Sequence, residues 1–426
     1  MRVVIRLRCA EMAADDVAFA GILIGSIVLS ALLRWLPAHW RADVSAAVGT
    51  ATMMAACGLK NALHPLSAIA LAMVLLKLAP RRWHASAALV TSFGHLAVVR
   101  LLPSRPGGPT NAAMLLLTLR LAAPSSELSS AAELMRYASC YHGLFTGPYY
   151  SYETWRAAMR APQPFPNARE SCFRLVAAIG ALIVWRAIVV ALPYRSTWES
   201  GGGADTAATW LWRLGYFYVS SFQFRWRFYT CWLMMAASGR FAGFSVADSS
   251  NVRVGACELA TSPSGLISGW NTSVQAWLKL HVYRSLPPRT PRAVRQLATF
   301  VVSAFWHGVH PGYYVCFLGV FAMVCVEQLL RLAWPRGAPV AAAVPRALLR
   351  RRQVLSVCRS AICHLWTMGC FTFFGSAFNL LRWKEIAALW RVLRFYGVWL
   401  TALPVLPAVL RLTATYFTIR PRHKAE

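Results

Sequence analysis

The residues with the clearest chemical potential lie in one short segment, residues 303–314, with the sequence SAFWHGVHPGYY. Two histidines, His307 and His310, follow an apolar run there. Ionisable side chains in apolar surroundings are costly and usually face a cavity or a partner, and a neutral imidazole can accept a proton near neutral pH. The glycines and proline after His307 predict that it stands at a helix end. The segment alone leaves two interpretations open, a general base and a core histidine bonded to a backbone carbonyl.

A metal site at His307 and His310 is the weaker interpretation of this segment. Their spacing could place both rings on one helical face, but Pro311 disfavours a helical conformation at His310. No acidic residue accompanies the pair, as one does in the H-E-x-x-H zinc motif. We therefore expect no metal here.

A second segment, residues 270–277, reads WNTSVQAW and begins with Trp270. Asn271 and Gln275 are four residues apart, so on a helix they would share one face. Residues 271–273 also form a glycosylation sequon. A buried amide could instead orient a substrate or stabilise an oxyanion. The pattern does not decide between the sequon and the buried amide.

Two aromatic segments complete the set of candidates. Residues 145–152 read FTGPYYSY and include Tyr149, and residues 224–229 read FRWRFY, where Arg225 and Arg227 alternate with aromatic rings. Aromatic residues are typical of the membrane interface. The two arginines could anchor the chain there or bind the phosphate of an anionic ligand.

The composition indicates that the candidate residues belong to a membrane protein, whose helices are surrounded by lipid. Of the 426 residues, 57% are hydrophobic and 14% are charged, whereas soluble domains are usually about 45–50% apolar and about 25% charged. The net charge is +29, but the basic residues lie between apolar runs rather than along one face. This distribution favours basic cytoplasmic loops over a nucleic-acid-binding surface.

The apolar runs predict an all-α membrane bundle. The candidate spans are residues 17–33, 44–59, 66–78, 85–99, 111–121, 175–192, 207–222, 227–237, 297–309, 313–332, 354–378 and 386–410. One crossing takes roughly 20 residues, so we expect roughly 9–12 membrane helices. Residues 247–268 are too polar for lipid and predict a loop leading into a helix. Glu327, inside an apolar run, predicts a structural pairing with a basic residue or a place near the interface.

Together these segments resemble the membrane-bound O-acyltransferase (MBOAT) family, and most closely those members that acylate lysophosphatidylinositol. The resemblance is carried by residues 145–152, 270–277 and 303–314, with residues 110–119 (TNAAMLLLTL) in support. It runs in order along nearly the whole chain. It implies a polytopic helical bundle of the MBOAT type around a catalytic chamber, with one membrane domain at residues 12–415. Residues 1–11 would be an N-terminal extension and residues 416–426 a basic C-terminal tail.

The resemblance also implies a reaction, the transfer of a fatty acyl group from acyl-CoA to the free sn-2 hydroxyl of a lysophospholipid in phospholipid remodelling. His307 matches the family's catalytic histidine and Asn271 its active-site asparagine, which argues against glycosylation of the sequon. The further candidates for substrate binding are His310, Gln275, Trp270, Trp306, Arg225, Arg227 and Tyr149. No cofactor is implied beyond the co-substrate acyl-CoA. The implied location is the endoplasmic reticulum membrane, as a multi-pass protein.

The sequence leaves both the acceptor and the class of protein open to alternatives. The compact segment at residues 247–268 leaves the acceptor headgroup undecided, so lysophosphatidylcholine, -ethanolamine and -serine are alternatives to lysophosphatidylinositol. A different class of protein would be a transporter in which His307 and Glu327 form a proton relay, although the sequence shows no internal repeat of the kind many transporters have. The expected partners are acyl-CoA, a lysophospholipid and membrane lipids, without nucleic acid. The oligomeric state is not determined by the sequence.

Overall fold

The computed structural model describes residues 19–102, 107–122, 128, 130–162, 164–191, 206–334 and 346–419. The predicted extension at residues 1–11 lies outside these residues, as do residues 420–426 of the predicted tail. Within the described ranges every regular element is a helix, as the apolar runs predict.

The helices up to residue 242 are α1 Phe19–Leu33, α2 Ala38–Cys57, α3 Leu59–Leu78, α4 His84–Leu101, α5 Gly108–Ala122, α6 Ala131–Ser139, α7 Tyr152–Arg160, α8 Ala168–Ala191, α9 Ala207–Ser220 and α10 Phe222–Ala242. Those that follow are α11 Val246–Ser249, α12 Val254–Glu258, α13 Pro263–Gly269, α14 Thr272–Leu278, α15 Arg292–His307, α16 Pro311–Ala333, α17 Arg346–Leu380, α18 Trp383–Val392, α19 Tyr396–Ala402 and α20 Val405–Ile419. A 3₁₀ turn precedes α4, and a π-helical turn, Lys279–Tyr283, follows α14.

Five stretches of the described chain are long and apolar enough to cross a membrane. They are α3, α8, α16, residues Val354–Leu380 of α17 and residues Tyr396–Ala414. Such helices present apolar side chains all round, as membrane spans do. The multi-pass membrane character is therefore confirmed, while the total of 9–12 membrane helices stays a prediction.

The predicted span at residues 386–410 is wrong in one respect, because three separate helices, α18, α19 and α20, replace a single one. Arg394 and Phe395 adopt left-handed backbone conformations, with φ of 50° and 53°. Neither residue is a glycine or a proline, so their residue types do not signal the break between α18 and α19.

The polar segment at residues 247–268 is also more ordered than predicted. Three short helices, α11, α12 and α13, occupy it instead of a loop. Serine side chains start two of them, since Ser245 Oγ accepts a hydrogen bond from Asp248 N and Ser262 Oγ accepts one from Gly265 N.

Glu327 on α16 holds the first turn of α13. Its buried carboxylate accepts hydrogen bonds from Ser264 N at 2.8 Å and from Ser264 Oγ at 2.6 Å, and it forms an ion pair with Arg331. A carboxylate at a helix N-terminus is stabilised by the exposed N–H groups there. The predicted pairing of Glu327 with a basic residue is confirmed, and its carboxylate oxygens are engaged in structural contacts.

The chain divides into two compact units that alternate along the sequence. The first comprises Met1–Arg186, Arg225–Val252 and Asn271–Trp277, and the second comprises Ala187–Phe224, Arg253–Trp270 and Leu278–Glu426. Asn271 thus belongs to the first unit and His307 to the second. The single domain at residues 12–415 stays a prediction.

Candidate active site

Asn271 stands immediately before α14 rather than inside it. Its backbone is left-handed, with φ of 47°, a conformation that asparagine tolerates better than most residues. Its carbonyl oxygen accepts the hydrogen bond of Gln275 N at 3.1 Å, which opens the first turn of α14. The prediction that Asn271 and Gln275 share one face of a helix is therefore wrong, because only Gln275 lies in the helix. The direction of the Asn271 side chain is set by side-chain contacts and not by its position in a helix.

A buried asparagine that the sequence analysis missed supplies those contacts. Asn251 is 1% exposed, and its Nδ2 donates to Asn271 Oδ1 at 3.0 Å. Its Oδ1 accepts from both Ser273 N, at 3.0 Å, and Ser273 Oγ, at 2.8 Å. We call Asn251, Asn271 and Ser273 the amide cluster. Nothing in the local sequence distinguishes Asn251 from the other polar residues of its segment.

The amide cluster also brings together two segments that are far apart in sequence. Ser273 Oγ accepts a hydrogen bond from the backbone N–H of Tyr149 at 2.9 Å. Gly147 lies beside the cluster with φ of +82°, and a Cβ there would come within 3.3 Å of Asn251 Nδ2. Glycine thus gives the loop both its conformation and its close approach. Tyr149, predicted as a substrate-binding residue, is half-buried and contacts the cluster through its backbone.

In the second unit, His307 is the last residue of α15, as predicted from Gly308 and Pro311. His310 precedes Pro311 in an extended conformation, with φ of −69° and ψ of 140°, as expected for a residue before proline. Both histidine side chains are half-buried.

Aromatic rings surround the His307 imidazole. Tyr313 and Phe317 stack on it with ring centroids at 5.8 Å and 5.2 Å, and Phe378 meets it edge-on at 4.9 Å. We call Tyr313, Phe317 and Phe378 the aromatic cage. Stacking of Tyr313 and Phe317 on the ring restricts the orientation of the imidazole. A fixed, half-buried imidazole is suited to proton transfer at one position.

The other predicted substrate-binding residues are distributed over both units. Trp306 is 3% exposed and lies with its ring centroid 4.6 Å from that of His307. Trp270 meets Phe371 edge-on at 5.9 Å. On α10, Arg225 is buried and Arg227 is exposed, because residues two apart point to different faces of a helix.

Metal-ligating side chains are dispersed in the described part of the chain. No group of three or more His, Cys, Asp or Glu side chains there could hold a metal ion.

Comparison with known protein families identifies the family of this chain. The sequence model of MBOAT, the membrane-bound O-acyltransferase family, matches residues 68–358. The chain belongs to this family. The match includes the amide cluster, His307 and the Tyr313 and Phe317 rings of the aromatic cage. The all-α MBOAT fold and the O-acyltransferase class predicted from the sequence are thereby confirmed.

Curated relatives of this MBOAT protein carry more specific names. The membrane-bound acylglycerophosphatidylinositol O-acyltransferase mboat7 of Xenopus laevis is 26% identical over 385 residues, covering 74% of this chain and 80% of that protein. MBOAT7 of Homo sapiens, with the same descriptive name, is 27% identical over 395 residues, covering 76% and 81%. Lysophospholipid acyltransferase 2 of Arabidopsis thaliana is 26% identical over 229 residues, covering 50% and 46%.

The packing of Tyr313 against Gly308 gives a first prediction for this MBOAT protein. A Cβ at position 308 would lie 2.2 Å from Tyr313 Cε2, so Gly308→Ala must displace the ring that stacks on His307. We expect acyl transfer to fall by at least about tenfold, since a misplacement of about 1 Å can cost about 10²-fold. The matched control is Gly375→Ala on α17, where a Cβ would meet nothing within 4 Å. Equal initial rates for the two purified variants would contradict the prediction.

Proposed function

We propose that this MBOAT protein transfers a fatty acyl group from acyl-CoA to the free sn-2 hydroxyl of a lysophospholipid, with lysophosphatidylinositol as the acceptor. The observation that carries this proposal is the similarity to relatives named acylglycerophosphatidylinositol O-acyltransferases, which extends over about three quarters of the chain. A multi-pass location in the endoplasmic reticulum membrane, where phospholipids are remodelled, is part of the same proposal.

His307 is proposed as the general base. A lysophospholipid hydroxyl is a poor nucleophile at neutral pH, so a base must remove its proton as the oxygen attacks the thioester carbonyl. General-base catalysis of this kind contributes roughly 10²–10⁴-fold. The new ester C–O bond forms, the thioester C–S bond breaks, and coenzyme A leaves with the proton that His307 accepted. The aromatic cage supports this role, because stacking restricts the orientation of the imidazole.

Asn271 is proposed to assist the same step. Attack on the thioester places negative charge on the former carbonyl oxygen, and a preorganised amide donor for that charge is worth about 10²–10³-fold. The amide cluster supports this role because it holds the Asn271 side chain through a buried partner. The reaction needs no covalent enzyme intermediate, since the thiolate of coenzyme A is itself a good leaving group.

Binding of the substrates is proposed to involve residues of both units. Arg227 is exposed and basic and suits the phosphates of coenzyme A or of the lipid headgroup, whereas the buried Arg225 would act from inside the first unit. Gln275, Trp270, Trp306, His310 and Tyr149 remain proposed contacts for the lipid and acyl chains.

An acceptor panel tests the function. Purified protein would be given labelled acyl-CoA with lysophosphatidylinositol, -choline, -ethanolamine or -serine, and the labelled phospholipid would be measured. We expect the kcat/KM for lysophosphatidylinositol to exceed the others by at least about tenfold, because a site that bonds the inositol hydroxyls rejects headgroups that lack them. Greater transfer to another acceptor would change the headgroup assignment. No transfer to any of the four would contradict the reaction class.

A further inference from the structure

We infer that Asn251 is a positioning residue that fixes the amide of Asn271 so that its Nδ2 group, and not its oxygen, faces the reactants. The inference rests on the proposed role of Asn271 in acyl transfer. It deepens that role by naming the atom of the amide that acts and the residue that selects it.

The orientation of both amides follows from a single backbone group. Ser273 N can only donate, and it lies 3.0 Å from one terminal atom of the Asn251 side chain. That atom must therefore be Oδ1, which leaves Nδ2 on the side facing Asn271. Because Nδ2 can only donate, the Asn271 atom 3.0 Å away must be its Oδ1. The backbone N–H of Ser273 therefore decides the assignment of nitrogen and oxygen in both amides.

The environment of Asn251 keeps this arrangement rigid. Its side chain is buried, and its own carbonyl oxygen accepts the hydrogen bond of Thr272 N at 3.0 Å. Ser273 Oγ accepts from Tyr149 N, so its hydroxyl hydrogen is available for Asn251 Oδ1 at 2.8 Å. Each atom of the Asn251 amide thus has a partner of matching type, and a rotation of the amide would place donors against donors.

The orientation of the Asn271 amide determines which of its groups can contact a reactant. With Oδ1 committed to Asn251, the Asn271 group that can face a reactant is Nδ2, which carries two N–H donors and no acceptor. Such a group stabilises negative charge on the thioester oxygen. It cannot accept the proton of the attacking hydroxyl, so that proton goes to His307 in the proposed mechanism.

Replacing the amide nitrogen of Asn251 by an oxygen, in Asn251→Asp, tests the inference. In Asn251→Asp, one carboxylate oxygen can still accept from Ser273, but the other requires a donor from Asn271. The Asn271 amide should rotate, with its oxygen towards the reactants. We expect the kcat for acyl transfer per folded enzyme to fall by about 10²-fold, with the KM for the lysophospholipid changed by less than about threefold.

The companion variants separate positioning from a structural role. Asn271→Asp keeps an acceptor for Asn251 but removes the outward donor, so its kcat should fall to a similar extent. Adding Asn251→Asp to Asn271→Ala should cause no further loss in kcat, because the amide to be positioned is gone. The matched control is Thr272→Val, which removes a 3.1 Å hydrogen bond to Ser250 O between the same two segments and should keep kcat within about threefold.

The outcomes are distinguishable. Wild-type kcat in Asn251→Asp, together with an inactive Asn271→Asp, would overturn the inference and leave the proposed function standing. Wild-type kcat in Asn271→Asp would refute the role of Asn271 itself, and the inference with it. A loss in Thr272→Val equal to that in Asn251→Asp would assign Asn251 a structural role only. Asn251→Ala, which frees the amide to rotate, should also lose kcat and provides a second variant if Asn251→Asp does not fold.

Discussion

His307→Ala should lower the rate of acyl transfer by about 10²–10⁴-fold, the contribution of a general base. The substitution removes the imidazole on which Tyr313 and Phe317 stack, but alanine favours the helical conformation and α15 can still end at Gly308. The protein should therefore still fold and insert into membranes. The measurement is the initial rate with acyl-CoA and lysophosphatidylinositol, normalised to the amount of folded protein.

The matched control for this variant is a histidine of the same unit with a structural contact. His364 Nδ1 lies 2.9 Å from the carbonyl oxygen of Ala260, so His364→Ala deletes an imidazole of the same size. We expect its rate to stay within about threefold of the wild type. Full activity in His307→Ala would refute the general-base assignment, and an equal loss in both variants would show that the effect is not specific to His307.

Arg120→Met should strongly destabilise the first unit. Arg120 is 1% exposed on α5, and its guanidinium donates to the carbonyl oxygens of Ala138 at 3.0 Å and Cys140 at 2.8 Å. It also donates to the carbonyl oxygens of Tyr137 and His142. Methionine fills much of the same volume but donates no hydrogen bond. Each buried carbonyl left unpaired costs about 1–3 kcal/mol, so we expect a loss of at least about 3 kcal/mol.

Thermal unfolding of detergent-purified protein measures this effect, with Arg169→Met as the control. Arg169 is an exposed residue of α8 in the same unit, and surface changes usually stay within about 0.5 kcal/mol. An unchanged midpoint for Arg120→Met would contradict the prediction. The affected carbonyls belong to the chain that leads into residues 145–152, so activity should fall together with stability rather than independently of it.

Local sequence determines the parts of this protein that depend on neighbours along the chain. The end of α15 at His307 follows from Gly308 and Pro311, and the extended backbone of His310 follows from the proline after it. Composition indicates the membrane character, since 57% of the residues are hydrophobic and 14% are charged, against about 45–50% and about 25% in soluble domains. The types of the candidate residues, an imidazole and an amide, are likewise visible without any structure.

Only the tertiary structure decides how these groups are held. Asn251 lies 20 positions before Asn271, and Phe378 of the aromatic cage comes from α17, far along the chain from His307. Spacing rules describe neighbours on one helix or strand, whereas these contacts arise from the packing of separate elements. The left-handed backbone of Asn271 has the same origin, because the hydrogen bonds of the amide cluster stabilise a conformation that the local sequence does not demand. The sequence therefore supplies the chemical groups, and packing selects the atom that the Asn271 amide presents.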